Sequence, residues 1–190
     1  MILSNTEIIS CLERGSFRID PHPGKDAALK PFNTSAVDLR LGDEILVPNE
    51  NQPFQLDLRQ GAIASFLAQH SGIHSLSSER PYSLRRGKLV LGKTLERVHF
   101  PIIENGPCYG ARIEGRSSIA RCGILVHFTA PTIHAGFHGT ITLEIINFGA
   151  ADFLLFPGMA ICQLIIEEIR GCPVSAPNQF SGQQSAAGVL

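Results

Sequence analysis

The segment Glu114–Arg121 and the carboxylate of Glu144 are the residues whose types and spacing best support chemistry in this chain. The segment reads E-G-R-S-S-I-A-R, so two arginines and two adjacent serines lie beside a glycine. Arginine offers a fixed fork of N–H donors and serine adds short neutral donors, a combination that suits a polyphosphate. A carboxylate near such a cradle can move protons on whatever the phosphate anchors. The alternative is an ordinary solvated turn rich in Arg and Ser.

Glu144 lies in the run Gly139–Asn147, whose alternation of polar and apolar residues predicts a strand. The glutamate shares one face with two threonines, while isoleucine and leucine occupy the opposite face. A glutamate on that face points either into a pocket or to solvent, and the pattern alone leaves both open.

Length and composition predict one globular domain. The chain has 190 residues, 44% of them hydrophobic and 17% charged, which excludes disorder and allows a sizeable core. A formal net charge of −1 provides no field that would attract a nucleic acid polymer or a membrane. We expect a domain over residues 1–174, with a surface insertion at about 53–84, and a flexible lid or tail over 175–190.

The cysteines and the amino terminus favour a cytoplasmic protein. The five cysteines are an odd number, far apart and without a C-x-x-C pair, so a disulfide framework or a zinc site is not expected. The first residues, M-I-L-S-N-T-E, do not form a signal peptide, and no apolar run has the length of a membrane span.

The local patterns predict a mostly β fold with a short N-terminal helix and few other helices. Ser4–Glu7 reads as a capping box that begins a helix running to Gly15. A loop or extended arm follows over 18–32, then a strand pair or bent strand over 35–47, and a brief helix over Ile63–Ala68. Further strands are predicted at Leu89–Leu91, Thr94–His99, Cys108–Ile113, Gly123–Phe128, Gly139–Asn147, Phe153–Phe156 and Ile161–Ile169, as in an all-β barrel or jelly roll.

Three histidines, His127, His134 and His138, raise the question of a metal site. Their spacing matches no compact ligand pattern. The zinc deaminase signature, H-x-E with P-C-x-x-C, is also missing, so any deamination is expected to proceed without zinc.

Four blocks follow one another along the chain: D-L-R-L-G at 38–42, G-R-S-S-I-A-R at 115–121, the run from Thr129 to Asn147, and P-G-M-A-I-C-Q-L at 157–164. Taken in this order, they resemble the dCTP deaminase branch of the dUTPase superfamily. The tail F-S-G-Q at 180–183 is similar to the aromatic-x-G-Q lid of the deaminases. The resemblance covers most of the chain and implies a distorted β-barrel or jelly roll of the dUTPase-like type, assembled as a homotrimer with sites between subunits.

The resemblance also implies the catalytic roles. Glu144 acts as the base in the deaminases, whereas plain dUTPases carry a non-acidic residue at this place. Ser117, Arg121 and the carbonyl of Ala130 would position the water that attacks C4 of the cytosine. The expected product is dUTP with release of ammonia.

The substrate implied is dCTP with Mg²⁺ on its phosphates, and dUTP and dTTP are possible further ligands. Arg116, Ser118 and nearby backbone amides, including those of Ile119 and Ala120, would bind the phosphates. Backbone atoms of Thr142 and Leu143 would contact the base edge. The residues expected to close over the ligand are Gln179, Phe180 and Gln183.

One position departs from the family pattern. His134 stands where the family usually has an aspartate that holds the deoxyribose 3′-hydroxyl, and an imidazole lacks that charge. In dUTPases the equivalent aspartate also activates the attacking water, so His134 argues against efficient cleavage of dUTP. Three functions follow as hypotheses: a zinc-independent dCTP deaminase, a dUTP diphosphatase or bifunctional enzyme that forms dUMP, and a catalytically weak nucleotide-binding trimer.

Overall fold

The computed structural model describes residues 1–50, 57, 59, 63–175, 182 and 186. The α-helices within these residues are α1 (Asn5–Glu13), α2 (Ile63–Gln69) and α3 (Ser117–Ala120). The strands are β1 (Arg18–Asp20), β2 (Phe32–Asn33), β3 (Ala36–Pro48), β4 (Ser71–Ser75), β5 (Tyr82–Leu84), β6 (Leu89–His99), β7 (Cys108–Gly115), β8 (Ile124–Val126), β9 (Thr132–Ile133), β10 (His138–Asn147), β11 (Phe153–Leu155) and β12 (Ala160–Ile169).

Ten of these strands form one antiparallel sheet. Its main order is β8-β10-β6-β3-β12-β7-β9, with β1 added on β6, and β2 and β4 added on β3. β11 and β5 pair separately. The predicted β-rich fold with a short N-terminal helix is confirmed.

β3 is the bent strand that joins the two halves of the sheet. Its first half pairs with β12, from Val37 to Arg40, and its second half pairs with β6 and β4. The register with β6 shifts between Leu41 and Ile45. One long strand that changes partners makes the sheet curl as a barrel does.

β6 is one strand, so the prediction of two short strands separated at Gly92 and Lys93 is wrong. A Cβ at Gly92 would lie 2.8 Å from Cδ1 of Leu41 and 3.2 Å from Cδ1 of Ile145. The glycine therefore marks a close approach of packed side chains rather than a turn.

α1 begins as predicted, with the hydroxyl of Ser4 accepting a hydrogen bond from the backbone N–H of Glu7 at 3.3 Å. The Glu7 carboxylate does not close the predicted capping box. It accepts from Nη2 of Arg14 at 2.8 Å, because this arginine, about two turns further on at the C-cap, offers a charged donor.

A large apolar core lies between the curled sheet and α1, and a small second cluster includes Leu46 and Leu91. Phe17 lies at the N-terminal side of the large core with its ring centroid 5.5 Å from that of Phe100 and 5.3 Å from that of Tyr109. The segment predicted as an insertion contains the predicted helix, α2, and two strands that were not predicted, β4 and β5. Among the described residues, no helix combines the length and apolar character needed to cross a membrane.

Candidate active site

β10 presents Glu144 from the body of the sheet. Ile141, Leu143 and Ile145 are buried on the inner face, and Glu144 lies between them with its side chain 33% exposed. The alternation predicted from the sequence is confirmed. The fixed strand on both sides of Glu144 holds its carboxylate at the edge of the core, neither free in solvent nor fully enclosed.

His127 is the side chain that faces this carboxylate. It follows β8, which pairs with β10, and its backbone N–H donates to the carbonyl of Glu144 at 2.8 Å. Its φ is +59°, a left-handed conformation that turns the imidazole, only 6% exposed, back toward β10. Nδ1 lies 2.9 Å from Oε2 of Glu144, and Nε2 lies 2.9 Å from the carbonyl oxygen of Ala130.

These contacts constrain the protons of the pair. A carbonyl oxygen only accepts, so Nε2 of His127 carries a hydrogen and donates to Ala130. Nδ1 is the ring atom that faces the carboxylate of Glu144. Nδ1 and Oε2 are poorly aligned for a hydrogen bond and have no other partner among the described residues. The contact is therefore mainly electrostatic.

The environment sets the charge state of Glu144. Burial by itself raises the pKa of this carboxyl, but the polar contact with His127, the charge of that imidazole and the residue's own backbone amide outweigh burial. The pKa of Glu144 therefore lies below its ordinary value. Glu144 is ionised at neutral pH and is ready to accept a proton.

The segment predicted as a phosphate cradle forms the single turn α3 at the end of β7. Arg116 is its N-cap residue in an extended conformation, and Arg121 is its C-cap. The amides of Ile119 and Ala120 both donate to the carbonyl of Arg116, at 3.0 and 2.9 Å. These two amides are thus engaged inside the turn. Residues 117, 118 and 121 are exposed, so their side chains are accessible to a ligand.

Two glycines fasten α3 to the end of β10. A Cβ at Gly123 would lie 2.5 Å from the Cα of Gly149, and a Cβ at Gly149 would lie 2.1 Å from the carbonyl oxygen of Cys122. The N–H of Phe148 also donates to the carbonyl of Gly123 at 2.8 Å. Only residues without a side chain permit this approach, which ties the turn to the strand that carries Glu144.

Arg116 makes an ion pair that the sequence did not suggest. Its Nη2 lies 3.3 Å from Oδ2 of Asp38, and its Nη1 donates to the carbonyl of Ala160 at 3.2 Å. Asp38 is 5% exposed and also accepts from Gln163 at 3.1 Å. The two arginines of the segment thus differ. The guanidinium of Arg116 is held by Asp38 and by the carbonyl of Ala160, whereas Arg121 is exposed.

The remaining predicted residues occupy different places. His134 is exposed in the turn between β9 and β10, where its carbonyl accepts from the N–H of Phe137. Leu143 is fully buried through its side chain, and the hydroxyl of Thr142 donates to the carbonyl of Ala186 at 3.4 Å. Gln179, Phe180 and Gln183 lie outside the described residues.

The tail touches β10 at two described points. The N–H of Gly182 donates to the carbonyl of His138 at 2.7 Å, and the carbonyl of Ala186 accepts from the hydroxyl of Thr142 at 3.4 Å. Ala186 also packs with Leu46 of β3 and Leu91 of β6.

His127 is the residue of this candidate site that sequence reasoning missed, since it was considered only as a metal ligand. The three histidines are not gathered, because His138 faces His99 and His134 lies in its own turn. In the described part of the chain, no group of three His, Cys, Asp or Glu side chains is arranged to hold a metal ion. The contact with Glu144 depends on the β8–β10 register and on a positive φ, and neither leaves a pattern in the sequence.

Comparison with known proteins gives consistent results at the levels of family, sequence and fold. A family model described as dCTP deaminase-like matches residues 2–169. The chain is 36% identical over 179 residues to a dCTP deaminase of Rhodospirillum rubrum, covering 93% of this chain and 87% of that protein. It is 37% identical over 177 residues to a dUMP-forming dCTP deaminase of Dictyoglomus thermophilum, covering 93% of this chain and 84% of that protein.

A solved structure shares the fold. The 2′-deoxycytidine 5′-triphosphate deaminase of Agrobacterium tumefaciens superposes with a TM-score of 0.61 at 18% identity over 87% of this chain. The match covers 47% of that structure, so this chain spans about half its length. The family match extends from the first residues of the chain to the end of β12 and includes the strand of Glu144, the turn α3 and the Asp38 block; the chain therefore belongs to the dCTP deaminase-like family.

Proposed function

We propose that the protein deaminates dCTP by hydrolysis, giving dUTP and ammonia. The observation that carries this proposal is the ionised carboxylate of Glu144, held at the edge of the core with the imidazole of His127 against it. A general base for this reaction must be deprotonated at neutral pH. It must also lie beside a polar group that remains a favourable neighbour after the base has taken up a proton. Relatives in the same family are named for this reaction.

In the proposed reaction, Glu144 takes a proton from water as the water oxygen bonds to C4 of the cytosine. Glu144 delivers this proton to the ring nitrogen N3, which gives a neutral tetrahedral centre. The new hydroxyl on C4 then gives up its proton through Glu144 to the amino group, the C4–N bond breaks, and ammonia leaves as the C4 carbonyl forms. Ser117 and Arg121 hold the water, and the charge of Arg121 stabilises the developing hydroxide. The carbonyl of Ala130 already accepts from His127 at 2.9 Å, and its second lone pair is left for the water.

The chain binds the rest of dCTP through groups around this centre. The guanidinium of Arg116 and the hydroxyl of Ser118 contact the phosphates, whose Mg²⁺ arrives with the substrate. Backbone atoms of Thr142 and Leu143 contact the edge of the base, and His134 lies at the sugar. Gln179, Phe180 and Gln183 close over the ligand.

We also propose a cytoplasmic homotrimer whose copies complete each other's sites. Ser117, Ser118, Arg121 and Ala130 are exposed in the single chain, although the proposed chemistry needs water excluded around them. Phe128 and Phe148 are 44% and 60% exposed and lie at the two opposite ends of the antiparallel β8–β10 pair. Apolar side chains on this scale are expected to be covered by another copy, and light scattering of the purified protein would measure the assembly.

A time course with dCTP and Mg²⁺ tests the function. Ammonia, dUTP, dUMP and pyrophosphate are resolved as the reaction proceeds. Ammonia with an equal amount of dUTP is the expected result. Binding of dCTP without any ammonia would refute deamination and indicate a nucleotide-binding protein.

Formation of dUMP is the second candidate function, because a relative that is 37% identical is named as dUMP-forming. His134, where the family usually carries an aspartate, weighs against it. In the same time course, dUMP and pyrophosphate appearing with the ammonia would establish the bifunctional reaction.

A further inference from the structure

Arg116 and Asp38 lie in a cavity of about 460 Å³ between the N-terminal arm and strands β3, β6 and β12. The arm contributes Lys30 to its wall, and β3 contributes Asp38 and Arg40. Arg116 reaches the cavity from the start of α3 with its side chain 27% exposed. The cavity therefore combines a deeply buried carboxylate with cations that are still accessible from outside.

The buried carboxylate of Asp38 is unusually well supplied with donors. Oδ1 accepts from Nδ2 of Asn33 at 2.8 Å and from Nε2 of Gln163 at 3.1 Å. Oδ2 faces Nη2 of Arg116 at 3.3 Å and Nζ of Lys30 at 3.5 Å. Burying a carboxylate is unfavourable unless its lone pairs are satisfied, so this set fixes the carboxylate in one orientation.

A fixed carboxylate fixes the arginine that it faces. The guanidinium of Arg116 is held at Nη2 by Asp38 and at Nη1 by the carbonyl of Ala160, while its other N–H groups remain available. Asp38 faces two cations, Lys30 and Arg116, so the group keeps one net positive charge toward an incoming anion. An arginine whose rotamer is already set loses less entropy when it binds a phosphate.

We propose that Asp38 is a positioning residue that holds Arg116 in the orientation that binds the phosphates of the substrate. The inference rests on the proposed function for the identity of the substrate. It explains why three separated motif blocks occur together. The aspartate of D-L-R-L-G and the glutamine of P-G-M-A-I-C-Q-L serve the arginine of G-R-S-S-I-A-R.

The chain offers a matched control in the same cavity. Glu96 is 4% exposed and accepts from the backbone N–H of Arg40 at 2.7 Å and from its Nε at 2.6 Å. Glu96→Gln therefore removes an equally buried negative charge from the same wall without touching Arg116. A general effect of charge or of cavity stability would appear in both variants.

The test measures binding of Mg²⁺–dCTP, and separately of inorganic triphosphate, by calorimetry, with thermal denaturation to confirm folding. Asp38→Asn is expected to weaken both ligands about tenfold, and Glu96→Gln to change them less than about twofold. In an Arg116→Ala background, Asp38→Asn should have no further effect, because an interaction that acts through Arg116 is not additive with its loss. Steady-state measurements should show the loss in KM rather than in kcat.

Several outcomes would overturn the inference. They are unchanged or tighter binding by Asp38→Asn, an equal loss in Glu96→Gln, or an equal loss with and without Arg116. If Asp38→Asn does not fold, Gln163→Met serves instead, since it removes one donor from Asp38 and should weaken triphosphate about two- to threefold. Because binding is read apart from ammonia release, a chain that binds dCTP without deaminating it refutes the proposed function alone.

Discussion

Glu144→Gln is the substitution that tests the proposed chemistry most directly. The amide keeps the size of the side chain on β10 but cannot accept a proton from water. General base catalysis contributes about 10²–10⁴-fold to a rate, which corresponds to about 2.7–5.5 kcal/mol of transition-state stabilisation. We expect kcat for ammonia release to fall by that factor.

The structure predicts a much smaller effect of this substitution on folding. The side chain of Glu144 is one-third exposed, and its contact with His127 is poorly aligned. The loss of such a pair is expected to change the free energy of unfolding by less than about 1 kcal/mol. The affinity for dCTP should also stay within a few-fold of the wild type.

The assay pairs single-turnover ammonia release with calorimetric binding of dCTP and a thermal melt. Glu168→Gln is the matched control, because this carboxylate is exposed on β12 outside the candidate site and should leave all three readouts unchanged. Turnover by Glu144→Gln within tenfold of the wild type would remove Glu144 from its role as base. A joint loss of turnover, binding and melting temperature would instead show that Glu144 is structural.

Three further perturbations have defined outcomes. His127→Gln removes the contact that lowers the pKa of Glu144 and leaves burial, which raises it, so the acid limb of the kcat/KM profile should move to higher pH; an unmoved limb contradicts this. His134→Asp supplies a charged acceptor for a sugar hydroxyl and should tighten dCTP binding about three- to tenfold by calorimetry, whereas equal affinity would mean that the histidine already makes this contact. Gly149→Ala places a Cβ 2.1 Å from a backbone carbonyl oxygen and should lower the free energy of unfolding by about 1–3 kcal/mol. Gly72→Ala, with no atom within 4 Å of its added Cβ, is the control, and equal melting temperatures would refute the packing argument.

The sequence was sufficient for the family and for most of the strands. Strict alternation along β10 predicted which residues face the core, because side chains of a strand alternate between faces whatever the rest of the fold does. The start of α1 was equally readable from Ser4, since capping is local. The continuity of β6 could not be read from the sequence. Gly92 suggests a turn, but a glycine is needed there because side chains of β3 and β10 pack against it.

The candidate site, like the fold, could be predicted from the sequence only in part. Residue types and order alone selected Glu144 and the R-S-S-x-x-R segment as candidates, and the family resemblance built on them is confirmed by the family match. Only the tertiary structure brought His127 to within 2.9 Å of Glu144 and Asp38 to within 3.3 Å of Arg116. The first contact joins residues 17 positions apart through strand pairing, and the second joins β3 to α3 across the cavity. A sequence specifies which groups are available, but the charge state of Glu144 and the orientation of Arg116 depend on neighbours that only folding supplies.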